Sequence, residues 1–150
     1  MVDTRKTTPT LRSFEKSAVR LGGGHNHRMG LFDAVLIKDN HIKAAGNIRK
    51  AVQRVKEKKS HMTKIEIEVE SIEGVREALE AEVDVIMLDN MRSEEMERAV
   101  ELIGDKAIVE ASGGITLENI EDVAKTGVDV VSVGALTHHI ESKDISLNLK

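Results

Sequence analysis

Short apolar runs and helically spaced apolar positions alternate along the whole chain. Ala34 to Ile37 and Val85-Ile86-Met87-Leu88 are unbroken apolar segments, the form of strands buried on both faces. Lys64 to Glu70 alternates strictly, with Ile65, Ile67 and Val69 on one side and Glu66, Glu68 and Glu70 on the other, which predicts a strand with one polar face. Ala107 to Ala111 and Val128 to Val133 predict two further strands, Val2 to Lys6 a short one at the start, and Ile145 to Leu149 an edge strand at the end. Between them the period lengthens. A helix is predicted over about Leu11 to Leu21, with Leu11, Phe14, Ala18 and Leu21 on one face. The next covers about Asn47 to Lys58, capped by Asn47, with Ile48, Val52 and Val55 inward. Ser71, Ser93 and Thr116 then read as caps of three more, the first carrying Ile72, Val75 and Leu79, the second with Met96, Val100 and Ile103 inward, and the third carrying Leu117, Ile120 and Val123.

Strands alternating with helices predict βαβ units with right-handed crossovers and a parallel sheet. A dinucleotide fingerprint after the first strand is missing, as is a phosphate loop ending in Gly-Lys-Ser/Thr, and Gly22-Gly23-Gly24 reads as a helix stop. Every strand ends in polar or glycine residues: Arg5 and Lys6, Lys38 and Asp39, Glu70, Asp89, Ser112 and Gly113, Gly134. In an open sheet such ends spread along an edge; in a barrel they meet at one mouth. A closed eight-unit barrel takes about 200 residues or more, so the expected fold class is α/β, an incomplete or open parallel (β/α) barrel of about six to seven strands. The 150 residues form one domain, with no linker or low-complexity tract.

Composition narrows the function. A net charge of −4 excludes general nucleic-acid binding, which needs an excess of Lys and Arg, and two phenylalanines are the only aromatic residues, so a base-stacking platform is absent. No apolar run is long enough for a membrane span and no leader pattern opens the chain, which with the absence of cysteine predicts a cytoplasmic protein without disulfides or thiolate chemistry. Any anion site must therefore be local. Arg5, Lys6, His27, Arg28 and Lys38 are its donors, arginine suiting a carboxylate or phosphate bidentately and lysine acting as a point charge. Glu70 and Asp89 are acceptors able to hold sugar hydroxyls or a hydrated Mg²⁺. Ser112-Gly113-Gly114 and Gly134 to Thr137 offer backbone N–H groups at turns that lead into helices. A magnesium-bound phosphosugar beside a carboxylated small molecule fits this set.

The motifs that carry these groups are Asp3-Thr4-Arg5-Lys6-Thr7-Thr8-Pro9, Gly22-Gly23-Gly24 with Asn26-His27-Arg28-Met29-Gly30-Leu31, Ile37-Lys38-Asp39-Asn40-His41, Glu68-Val69-Glu70, Leu88-Asp89-Asn90, Ser112-Gly113-Gly114-Ile115 and Ser132-Val133-Gly134-Ala135-Leu136-Thr137-His138. In this order, over almost the whole chain, they resemble quinolinate phosphoribosyltransferase, also called nicotinate-nucleotide pyrophosphorylase (carboxylating). The resemblance implies conversion of quinolinate and phosphoribosyl pyrophosphate to nicotinate mononucleotide, pyrophosphate and CO₂, with Mg²⁺, in de novo NAD synthesis. It implies that Arg5, His27, Arg28 and Lys38 grip the quinolinate carboxylates, and that Lys6, Glu70 and Asp89 meet the phosphoribosyl donor and its magnesium. Ser112, Gly113, Gly114, Gly134 and His138 would hold phosphates. Family members carry an α/β sandwich domain ahead of the barrel and pair as dimers in which that domain completes the neighbour's quinolinate site. Met1 stands directly before the first predicted strand, so the expectation is a barrel portion with weak or no turnover alone, its sandwich domain absent or on a separate polypeptide.

Plainer readings stand beside these. Arg5 and Lys6 also fit solvated surface charges, His27 a core histidine, and His138-His139 an adjacent pair that does not face one site. Glu66 and Glu68 share a face with Glu70 and need partners such as Lys6 or Lys38; Glu70, nearest the mouth, is the one expected to act. Two other functions fit the same residues: a non-catalytic phosphosugar-binding barrel, and a related phosphoribosyltransferase for another carboxylated heterocycle.

Overall fold

The computed structural model describes residues 1–141 and 143–149. Five strands, β1 (Val35–Ile37), β2 (Ile65–Val69), β3 (Val85–Asp89), β4 (Ile108–Ser112) and β5 (Val130–Val131), lie in chain order in one all-parallel sheet. The helices are α1 (Arg12–Leu21), α2 (Asp39–Ala45), α3 (Ile48–Lys56), α4 (Ile72–Glu80), α5 (Ser93–Ile103), α6 (Ile120–Lys125) and α7 (Ala135–His138). None of them is long and apolar enough to cross a membrane.

Strand register sorts the side chains into two faces. Ile37, Ile67, Ile86 and Val109 share one row, and Val69, Leu88, Ala111 and Val131 the next. All are buried in a core completed by Val52 of α3, Val75 and Ala78 of α4, and Met96, Ala99 and Ile103 of α5. Branched aliphatic side chains suit this helix-covered face of a parallel sheet. On the opposite face the rows are Leu36–Glu66–Val85–Ile108, then Glu68–Met87–Glu110–Val130, then Asp89–Ser112. This second face is polar toward the strand ends, and it carries the site.

Two expected strands do not form. Only Val2 of the first pairs, bridging in parallel to Ser132 past β5 and to His25. Beyond it the chain turns, with Thr4 Oγ1 accepting the Lys6 N–H at 3.0 Å and Arg5 O accepting the Thr7 N–H at 3.0 Å. Residues 145–149 have no strand partner among the described residues, and Ile145, Leu147 and Leu149 stay exposed. The sheet therefore has five strands rather than six to seven, with barrel-like contacts from Val2 and His25 continuing past its β5 edge.

The caps of α3 and α4 are as expected: Asn47 Oδ1 accepts the Lys50 N–H at 2.8 Å, and Ser71 Oγ accepts the Gly74 N–H at 3.2 Å. Ser93 is the first helical residue of α5 instead, behind Arg92. Thr116 caps nothing. Its N–H donates to Asn119 Oδ1 at 2.8 Å, so α6 starts later, at Ile120, and Leu117 lies before the helix, 91% exposed. In α1 the apolar stripe points outward: Phe14 is 75% and Leu21 89% exposed, while Glu15, Lys16 and Val19 are buried. The charges face in because hydrogen-bond partners from other segments await them. Asp3, fully buried, accepts Lys16 Nζ at 2.5 Å, Asn26 Nδ2 at 2.6 Å and the His27 N–H at 2.9 Å, and Glu15 accepts the Thr8 N–H at 3.1 Å.

Candidate active site

The polar sheet face opens into a cleft of about 1020 Å³ at the C-terminal ends of the strands. The segment before α1 brings Thr4, Arg5 and Lys6 to it, the loop before β1 brings His27 and Arg28, and the tip of β1 brings Lys38. Asp89 at the end of β3, Ser112-Gly113-Gly114 after β4, and Gly134 and His138 after β5 complete it. These groups, far apart in sequence, share one rim.

Glu70 is the exception. It does not line the cleft; Glu68 does, hydrogen-bonded to Lys38 Nζ. Strand β2 ends at Val69 because Ser71 turns away to cap α4, and Glu70 leaves the row that Glu66 and Glu68 share. A strand one residue shorter was signalled by the Ser71 cap.

Cations dominate the wall beside that pair. Arg28 is half-buried, and burial together with the neighbouring charge of Arg5 pushes its guanidinium below its ordinary value. Arg5 Nε is buried with no hydrogen-bond partner. Two guanidiniums held close, one with an orphan donor, are arranged for an anion that is not part of the chain.

On the opposite rim the turn after β4 is backbone-lined. Gly113 and Gly114 have φ of +87° and +60°, and a Cβ on Gly113 would stand 2.3 Å from Asn90 Oδ1, so only glycine fits there. Asn90, itself at φ +53°, donates to Asp89 Oδ2 at 2.8 Å and, through its N–H, to Ser112 O at 2.9 Å. With α6 starting at Ile120 and α7 only four residues long, the N–H groups of these turns, not a helix dipole, are what this rim offers an anion. His138 folds its ring over Gly134, whose added Cβ would meet His138 Nε2 at 2.6 Å, and packs edge-on against His139 at 4.4 Å.

Deeper on the same face His27 meets two carboxylates. Its Nε2 lies 3.0 Å from Glu66 Oε2 and 3.5 Å from Glu110 Oε1, and its Nδ1 accepts the Arg28 N–H at 2.7 Å. Ser132 Oγ donates to Glu110, and Glu66 Oε1 is buried without a partner. Burial and the charge of Glu66 push the Glu110 carboxyl up. For His27 burial works in the other direction, but the hydrogen bond to Glu66 and the charges of Glu66 and Glu110 outweigh it and raise the imidazole. With Nδ1 accepting the Arg28 N–H, Nε2 is the ring nitrogen that carries its hydrogen toward Glu66. Both ring nitrogens are thus engaged inside the protein, so His27 lines the cleft without offering it a free N–H. Glu110 was missed from sequence, although it stands two residues before Ser112 on one strand and so shares its face.

Two places among the described residues offer candidate metal ligands. His27, Glu66 and Glu110 bring one ligand atom each within 4.8 Å of one another. Their nitrogen donor and the hydroxyl already bound to Glu110 suit a hard, octahedral Mg²⁺ poorly. Asp89, on the open rim with a single amide partner, suits it better.

A family model described as quinolinate phosphoribosyl transferase, C-terminal domain, matches residues 1–148. The probable nicotinate-nucleotide pyrophosphorylase (carboxylating) of Bacillus subtilis is 49% identical over 147 residues, covering 98% of this chain and 51% of that protein. The protein of the same description from Methanocaldococcus jannaschii is 49% identical over 153 residues, covering 97% and 54%. Among solved structures, nicotinate-nucleotide pyrophosphorylase from Ehrlichia chaffeensis superposes with a TM-score of 0.94 at 42% identity, covering 99% of this chain and 54% of that one. The chain spans about half the length of the curated relatives it matches.

Proposed function

The chain belongs to the quinolinate phosphoribosyl transferase family, matching its C-terminal domain over residues 1–148, and from that premise we propose that residues 1–150 are the barrel domain, an incomplete (β/α) barrel, of an enzyme making nicotinate mononucleotide. The reaction joins the pyridine nitrogen of quinolinate to the anomeric carbon of phosphoribosyl pyrophosphate. Pyrophosphate leaves with its electron pair; the bond from ring C2 to its carboxylate then breaks, CO₂ departs, and C2 takes up a proton. Mg²⁺ supplies charge neutralisation of the pyrophosphate, and Asp89 is the group we assign to hold it, through water.

The observation that carries this reading is the Arg5–Arg28 pair with the unpartnered Arg5 Nε. Two fixed cations beside Lys38 suit a ligand with two adjacent carboxylates, and they orient its nitrogen before reaction. His27 sets the Arg28 backbone rather than binding carboxylate directly. Lys6 faces the leaving pyrophosphate, Asp89 and Glu68, in place of Glu70, face the ribose on which positive charge develops, and Ser112, Gly113, Gly114, Gly134 and His138 hold phosphate oxygens. In the complete protein a homodimer or larger assembly, and a second domain, complete the quinolinate site.

Binding and turnover test this. Calorimetry of the chain with phosphoribosyl pyrophosphate and Mg²⁺ should show binding, and quinolinate should bind more tightly than nicotinate. Pyrophosphate release with both substrates should be present but slow. Because the chain spans half of its relatives, binding without any product would select the second reading, a phosphosugar-binding barrel. Turnover with a different carboxylated heterocycle in preference to quinolinate would select the third.

A further inference from the structure

The inward-facing charges of α1, half-buried Arg12 and buried Lys16, take no part in lining the cleft, yet they reach both loops that do. Arg12 donates from Nε to Thr7 Oγ1 at 3.0 Å, from Nη2 to Arg5 O at 3.1 Å and from Nη1 to Met29 O at 3.2 Å. One turn further along, Lys16 Nζ bonds Asp3 Oδ1 at 2.5 Å and His27 O at 3.1 Å. Among the described residues no hydrogen bond runs directly between residues 5–8 and residues 27–30; Arg12 is the bridge. It spans the two loops that carry Arg5 and Arg28, two like charges close enough to disfavour one another. Without an anion between them such loops tend to part, and a rigid fork anchored on both backbones opposes that.

We infer that Arg12 is a positioning residue that fixes the separation of Arg5 and Arg28, and thereby selects a ligand with two carboxylates over one with a single carboxylate. It acts on the cleft only through the Arg5 and Met29 carbonyls and the Thr7 hydroxyl. Lysine cannot replace it, since an ammonium on a flexible stem does not reach three divergent acceptors as a planar guanidinium does. The selectivity half of this inference rests on the reading of the cleft as a quinolinate site; the geometric half does not.

The test compares wild type, R12K, T7V and the surface control S13A. Quinolinate and nicotinate are titrated by NMR, and amide exchange is followed in the same samples. R12K should weaken quinolinate about tenfold, the loss of one well-made charge-assisted contact, and leave nicotinate within about twofold, so the preference collapses. T7V, which removes one acceptor and is the gentler change if R12K folds poorly, should give an intermediate preference, and S13A none of these effects. Exchange at the Thr7, Arg28 and Met29 amides should quicken in R12K while that at Val75 and Ala99 stays unchanged. A lower melting temperature with the full quinolinate preference and unchanged loop exchange would overturn the inference and leave Arg12 a plain stabilising residue. Should wild type bind neither pyridine acid, the functional reading falls, and loop exchange alone then decides whether Arg12 holds the two loops.

Discussion

Glu68 and Glu110 face the same side of the sheet, yet two environments give them two tasks. Glu68 meets Lys38, whose side chain is 44% exposed, so solvent screens the pair and its loss costs stability little, about 0–1 kcal/mol. Under the proposed function its placement on the rim bears on the reaction instead. E68Q should lower the turnover of the complete enzyme by roughly 100-fold, as removal of a preorganised electrostatic group does, with the melting temperature nearly unchanged, whereas E70Q should leave both within about twofold of wild type. Glu110 behaves differently. Its carboxyl sits above its ordinary value from burial and from the charge of Glu66, so the folded chain holds a proton that the unfolded chain releases. Stability from this group is fully present below the ordinary carboxylate range and is lost as pH rises through the raised value. E110Q does not titrate, and its amide oxygen can still accept from Ser132. Relative to wild type, E110Q should therefore gain stability as pH rises from 5 to 8, read from urea midpoints; a constant difference would mean that Glu110 is ionised throughout.

Elements were legible where local chemistry and tertiary demand agree. The alternation of β2 fixed its two faces, and Asn47 and Ser71 were recognisable as caps because each side chain bonds the N–H three residues on. N47A should cost about 1 kcal/mol, and S93A, a non-capping first-turn position in α5, only a few tenths. Thermal unfolding of the two variants separates them. On α1 periodicity put the apolar residues on one face, but it registers where they recur, not which stripe meets the core. Arg12, Glu15 and Lys16 form an equally regular set, and the partners that claim them, Asp3, Thr7 and the backbone of two loops, lie in other segments. The strand expected over Val2 to Lys6 does not form, since its strand-like residues leave the sheet after Val2 to deliver Arg5 and Lys6 to the cleft. The assembly of the rim was readable from strand-end chemistry, while Glu68, Glu110 and Arg12 needed register and packing to find.

At the scale of the molecule, turning α1 inside out places its apolar stripe in water. Leu11, Phe14, Ala18 and Leu21 recur at helical spacing and are exposed, and Leu31 and Phe32 in the following loop are exposed as well. Scattered apolar residues on a surface need no explanation, but a helical stripe does, because a face of this kind in contact with water favours association. The chain also spans only about half of its relatives, which leaves room for a covering surface in the longer proteins. Taken alone, the chain should self-associate with rising concentration, seen as an increasing weight-average mass in sedimentation equilibrium. F14E with L21E should abolish that while holding the melting temperature within a degree or two, since neither side chain contributes to the core. They should also leave the Arg12 contacts intact, because they occupy the opposite side of the same helix. If the double variant instead unfolds, these residues pack internally and the outward stripe is not a surface. If association persists in the folded variant, its source lies in the other exposed apolar positions, with Leu117 and residues 145–149 next to be changed.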